Sequence, residues 1–174
     1  MTLKPAKAHV EYLLAGVAFF VSVCTLFVYI YQARMMREQQ RVSVWPYLES
    51  HSSDVVDYRI CVDNKGVGPA IIRKVEIVVD GKVVPDNKAL ITAVLGPEWK
   101  MGYENSTLNG RVLAPGEEIV MLKIPDLKEG RAFEAKLRAH PFDLRITYCS
   151  IYGDCWENSG DLVSRRPAQN LGLF

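Results

Sequence analysis

Four cysteines and three histidines are the residues best suited to chemistry in this chain of 174 residues. The most closely spaced pair is Cys149 and Cys155, which flank Ser150-Ile151-Tyr152-Gly153-Asp154. A three-residue loop of Ile151, Tyr152 and Gly153, with Gly153 left-handed, would set the two cysteines opposite each other. Directly opposed residues hold their Cβ atoms about 4.5–5.5 Å apart, somewhat above the ~3.8 Å usual in a disulfide. A turn centred on Gly153 and Asp154 would face Cys155 with Tyr152 instead and lose the pair. A metal reading needs more ligands. His140 and Met121 qualify by type, but no spacing links them to the pair, and zinc sites favour shorter separations of C-x2–4-C. Structural or free thiols account for the cysteines, so neither a metal site nor a cofactor is assigned.

The histidines offer no triad. His9 abuts an apolar run, His51 sits among Ser50, Ser52 and Ser53 in what reads as a polar turn, and His140 ends an alternating stretch on its polar side. No acid or nucleophile elbow frames them, so no catalytic residue is assigned and a non-enzymatic protein is expected. Asn64-Lys65-Gly66-Val67-Gly68 superficially resembles a phosphate loop. It lacks the Gly-Lys-Ser/Thr ending and leads into a strand, so no helix N-terminus is there to bind phosphate.

Behind these residues the chain is organised by the uncharged apolar run 12–33, between Glu11 and Arg34. At ~1.5 Å per residue it spans about 33 Å as a helix, enough for a hydrocarbon core of roughly 30 Å. A helix is also the only single segment that pairs all its backbone groups in lipid. Tyr12, Tyr29 and Tyr31 suit the two interfaces. The run is too long for a cleaved leader, and Tyr31-Gln32-Ala33-Arg34 is a poor cleavage site. The expectation is a tail over 1–11, a transmembrane helix over 12–33 and a juxtamembrane helix over 34–44, ended by Trp45-Pro46. Ala18 and Ser22 form a small-residue pair through which a homo-oligomer could pack.

Charge and cysteines bear on partners and side. Setting aside Lys4, Lys7, Glu11, Arg34, Arg37, Glu38 and Arg41, the chain from Trp45 onward has two more acidic than basic residues. That argues against the basic face a nucleic-acid partner needs. An odd number of cysteines in the domain is awkward in an oxidising compartment. Cys61 and Cys149 alternate with apolar residues and so read as lying on the polar faces of their strands. The expectation is a domain on the cytoplasmic side of the inner membrane with Cys61, Cys149 and Cys155 reduced; a periplasmic domain is the alternative.

From residue 45 the hydrophobic period becomes two. Val56, Tyr58, Ile60 and Val62 read as a strand, as do Val75, Ile77 and Val79, the stretch 119–124, and Leu144, Ile146 and Tyr148. Phe133, Ala135, Leu137 and Ala139 alternate in the same way and are expected in a strand. Asp80-Gly81 between valine pairs predicts a hairpin. Residues 86–95 are the one helical candidate, capped by Asp86 and stopped by Gly96-Pro97. Residues 98–109 have no period; Trp99 and Tyr103 are expected to pin this long loop, and with Asn105 they are the candidate binding residues. The tail 159–174 is polar. Short alternating strands with frequent turns over 45–158 predict an immunoglobulin-like antiparallel β-sandwich, with a small β-barrel as the runner-up.

Three segments together, Trp45-Pro46-Tyr47-Leu48, Asn64-Lys65-Gly66-Val67-Gly68-Pro69-Ala70 and Tyr148-Cys149-Ser150-Ile151-Tyr152-Gly153-Asp154-Cys155-Trp156, resemble those of a group of small bacterial single-pass membrane proteins. The resemblance implies one transmembrane helix, a basic juxtamembrane helix and a β-rich domain, and it brings no catalytic residues. The expected function is a membrane-anchored binding module with a protein partner, recognition lying in sheet edges and end loops. Two alternatives are a ligand-gated membrane effector with a nucleotide-sensing β-rich domain and a periplasmic copper chaperone built on Cys149 and Cys155.

Overall fold

A computed structural model describes residues 5–160 and 169–170. Helix α1 runs unbroken over Pro5–Ser43. The stretch His9–Ser43 is long and apolar enough to cross a bilayer, and its apolar window is wholly unburied. The hydroxyl of Ser22 donates to Ala18 O at 2.8 Å and that of Thr25 to Val21 O at 2.8 Å, so both polar groups are satisfied within the helix. The chain divides at the end of α1 into two compact units, Met1–Val42 and Ser43–Phe174.

The second unit holds two antiparallel sheets. In one, the order is β1 (Leu48–Ser53), β2 (Tyr58–Asn64), β7 (Glu118–Ile124) and β5 (Glu104–Asn105). In the other it is β10 (Gln169–Asn170), β9 (Cys155–Gly160), β8 (Phe142–Cys149), β3 (Ala70–Val79) and β4 (Lys82–Val84), with β6 (Val112–Leu113) paired to the start of β3. Ile60 and Val62 from β2, Leu122 and Ile124 from β7, Ile72 and Ile77 from β3, and Leu144 and Ile146 from β8 enter a single core. Helices α2 (Asn87–Leu95) and α3 (Leu127–Leu137) add Leu90, Ile91 and Phe133 to it, so the domain is β-rich but not all β.

Several elements follow directly from local chemistry. Asp86 caps α2 by accepting from Ala89 N at 2.7 Å, and Gly96 ends it. Asp80 and Gly81 both take positive φ, 50° and 76°, as the tight turn between β3 and β4 requires.

The strand expected around Phe133 is instead α3. Asp126 caps it by accepting from Lys128 N and Glu129 N, and the buried positions Gly130, Phe133 and Leu137 recur at helical spacing. The apparent alternation rested on Ala135 and Ala139, both exposed. Gly130 lets α3 approach β2: a Cβ there would collide with the side chain of Tyr58, whose ring meets Phe133 at 5.6 Å. Three smaller corrections concern ends and turns. Val56 is exposed ahead of β2, His51 lies within β1 rather than in a turn, and Ser159 lies within β9 rather than opening a tail. Most of the tail reading falls outside the described residues.

One buried amide joins the start of the domain to its centre. Asn64, fully buried at the end of β2, donates through Nδ2 to Gly68 O (2.8 Å) and Leu113 O (3.0 Å). Its Oδ1 accepts from Gly66 N (3.0 Å) and Tyr47 N (3.3 Å). The following loop hangs on the same strip, with Lys65 N donating to Tyr47 O (2.8 Å) and Val67 N to Trp45 O (3.0 Å). Gly66 and Gly68 are required here because a Cβ on either would strike the backbone of residues 44–47. Four neutral bonds at ~1 kcal/mol net each predict that Asn64→Ala costs about 3–4 kcal/mol. Urea unfolding of the full chain in detergent should show that loss as a lower midpoint at unchanged slope, while the exposed Lys82→Ala stays within about 0.5 kcal/mol. A small effect at Asn64 would mean that water replaces the amide.

Candidate functional site

Cys149 and Cys155 face each other across the β8–β9 turn and are joined by a disulfide, with their Cα atoms 4.0 Å apart. The turn has the first of the two registers open to the sequence. Ser150 N donates to Asp154 O (2.8 Å), Tyr152 N to Ser150 Oγ (3.2 Å), and Gly153 takes φ 86°. Tyr148 and Trp156 flank the bridge with their rings 5.9 Å apart.

The expectation of three reduced thiols is therefore corrected. Cys149 and Cys155 are bonded, and bonded sulfurs offer no thiolate to copper. The other two candidates for that metal set lie elsewhere: Met121 is in the core, and His140 bonds Asp80 Oδ2 through Nδ1 at 2.8 Å, tying the end of α3 to the β3–β4 turn. Cys61 is free but 1% exposed, not presented on an open polar face. Burial first, then the carboxylates of Glu118 and Asp63, push its thiol up to about 12.

The segment 98–109 is pinned at four points. Met101 and Leu108 are buried, and the half-buried Trp99 and Tyr103 pack on the core with their rings 6.2 Å apart. Two of the three candidate binding residues, Trp99 and Tyr103, are thus partly buried against the core. The third, Asn105, is exposed on β5, the edge strand next to β7.

Asn105 does line a cleft. Residues 105–109 form one wall, and the β3–β4 hairpin and the first turn of α2 form the other, enclosing about 110 Å³. Val75, Ile77, Val84 and Met121 give it an apolar floor, and Asp86, Asn87, Ser106, Thr107 and Asn109 give it a polar rim. Asn109 Oδ1 accepts from Val75 N (2.8 Å), fixing the wall to β3. Asn87 is buried and donates through Nδ2 to Met121 O (2.9 Å), while its Oδ1 has no partner among the described residues. The sequence reading identified the loop; it could not identify Asn87, a side chain that looks only like the first residue of a helix.

A family profile described as a domain of unknown function, DUF8453, matches residues 7–162. The chain belongs to the DUF8453 family. The match takes in most of α1, both short helices and every strand of the two sheets except β10. No curated protein and no solved structure matches the chain.

The disulfide of this DUF8453 domain closes a loop of about seven residues, for which chain entropy predicts a stabilisation of about 2 kcal/mol. Reduction under non-denaturing conditions, or Cys149→Ala with Cys155→Ala, should lower the unfolding free energy by about that amount. Unchanged stability would show that the turn holds its register without the bond.

Proposed function

We propose that this is a non-enzymatic, membrane-anchored binding module whose cleft beside residues 105–109 receives a side chain of a protein partner. The observation that carries the reading is the cleft's size and lining. Small-molecule sites occupy roughly 300–1,000 Å³, whereas this cleft encloses about 110 Å³ with an apolar floor and a polar rim. That volume suits one inserted side chain and is too small for a nucleotide to bind in this cleft. Pinned loops on a rigid scaffold are where recognition residues are commonly placed. Under the same reading the two sheets act as an immunoglobulin-like display scaffold and α1 is the membrane anchor, its exposed apolar length supporting that role.

In this reading the cysteines bear on the side of the membrane. Disulfides persist in oxidising compartments, so the Cys149–Cys155 bond supports a domain on the oxidising side in place of the cytoplasmic one.

Two measurements test the proposal. A photo-crosslinking residue at Thr107 should give a discrete adduct in cells that disappears when the cleft is filled by Ser106→Trp. No adduct, or an adduct indifferent to filling, would defeat the cleft as the contact. For sidedness, Val55→Cys places a thiol where the native side chain is 79% exposed. A membrane-impermeant maleimide should label it in sealed cells, and protection until permeabilisation would return the domain to the cytoplasm.

A further inference from the structure

The outer face of the first sheet holds a second constellation, unrelated to the cleft. His51 on β1 lies directly opposite Cys61 on β2, and Asp63 follows two residues later on the same face. On β7 the pairing shifts between Ile60 and Cys61: Ile60 opposes Leu122, but Cys61 opposes Val120 and Asp63 opposes Glu118. Met121 is the extra residue of this bulge, and it turns inward into the core. Without the bulge Asp63 would oppose Ile119, and Glu118 would fall on the core face. A bulge re-aims the side chains that follow it, and this one brings Glu118 beside Cys61. One nitrogen, one sulfur and one carboxylate oxygen of His51, Cys61 and Glu118 then lie within 4.8 Å of one another.

The histidine is already set for coordination. Its Nδ1 is 3.6 Å from Asp63 Oδ2, and its Nε2 faces Glu118 Oε2 at 3.9 Å. Ligating histidines commonly give their other ring N–H to a carboxylate, which fixes tautomer and orientation. Asp63 is 4% exposed, and its Oδ1 has no partner among the described residues; its Oδ2 also meets Lys65 Nζ at 2.6 Å. A buried thiol next to a buried carboxylate and a second carboxylate is an arrangement that a divalent cation would relieve.

We propose that His51 Nε2, Cys61 Sγ and Glu118 bind one divalent transition-metal ion of the zinc class, with Asp63 orienting the histidine. The donor set of one imidazole, one thiolate and one carboxylate matches that class, since thiolate disfavours magnesium and calcium. Bonds of ~2.0–2.3 Å place tetrahedral ligands about 3.5 Å apart. His51 and Glu118, 38% and 47% exposed, have the freedom to close that gap around the fixed Cys61. The thiol proton leaves to solvent as the metal binds. Three protein ligands leave the fourth position to water or to a partner's side chain.

The test uses the full chain in detergent with Cys24→Ser, which leaves Cys61 as the one free thiol beside the bonded pair. Titration with Co2+ should produce a thiolate-to-cobalt charge-transfer band that saturates at one equivalent and is bleached by Zn2+. Cys61→Ser should abolish the band, and Asp63→Asn should weaken binding roughly 10–100-fold. His51→Gln, on an exposed side chain that the fold does not need, should lose the band while the circular dichroism spectrum is unchanged. No band in the folded parent protein, or a band that survives Cys61→Ser or His51→Gln, overturns the proposal.

Discussion

The side-chain amide of Asn64 is the interaction on which the domain's architecture turns. It is buried at the end of β2, and its four bonds reach Tyr47, Gly66, Gly68 and Leu113. Those partners belong to the entry strip, the loop into β3, and the strand that pairs with β3. The first sheet and the second are therefore joined through one satisfied polar group rather than through apolar contact alone. Its backbone extends the junction, with Asn64 N donating to Glu117 O and Gly116 N donating to Asn64 O. An unsatisfied amide in that position would cost more than an apolar residue, so the arrangement holds only because every bond is made. The close packing of Gly66 and Gly68 on residues 44–47 is the steric side of the same constraint.

The β-bulge at Met121 acts at a distance from that junction and sets which residues can meet. It lets both Met121 and Leu122 enter the core and moves Glu118 to the outer face. One inserted residue thus gives β7 two jobs: an apolar lining for the cleft through Met121, and a carboxylate beside Cys61 through Glu118. The cleft and the outer-face cluster lie on opposite sides of the same strand, and Asn87 reaches the bulge through its bond to Met121 O. The proposed cleft contact and the proposed metal cluster both depend on this one irregularity.

Elements set by local chemistry were legible. The Asp80-Gly81 turn, the Asp86 cap and Gly96 stop of α2, and the uncharged length of α1 each follow from residues within a few positions of one another. Helix α3 was missed for a physical reason: Phe133 and Leu137 satisfy both periods, and exposed alanines completed a false alternation that the Asp126 cap should have countered. Trp99 and Tyr103 were rightly placed as pins of their loop, but aromatic type alone does not separate a packing residue from a binding one.

The sequence by itself determined the apolar helix, the strands β2, β3, β7 and β8 with their bounding turns, and the nearness of Cys149 to Cys155, because each depends on short-range spacing. Only the tertiary structure decided that those cysteines pair, that Asn64 is a junction rather than a turn residue, and that His51, Cys61 and Glu118 share one face. Strand pairing is non-local: a side chain's face on β7 depends on its register with β2, and one extra residue reverses it. Nothing in the residues around Glu118 records that register, which is set where Ile60 meets Leu122 and Cys61 meets Val120.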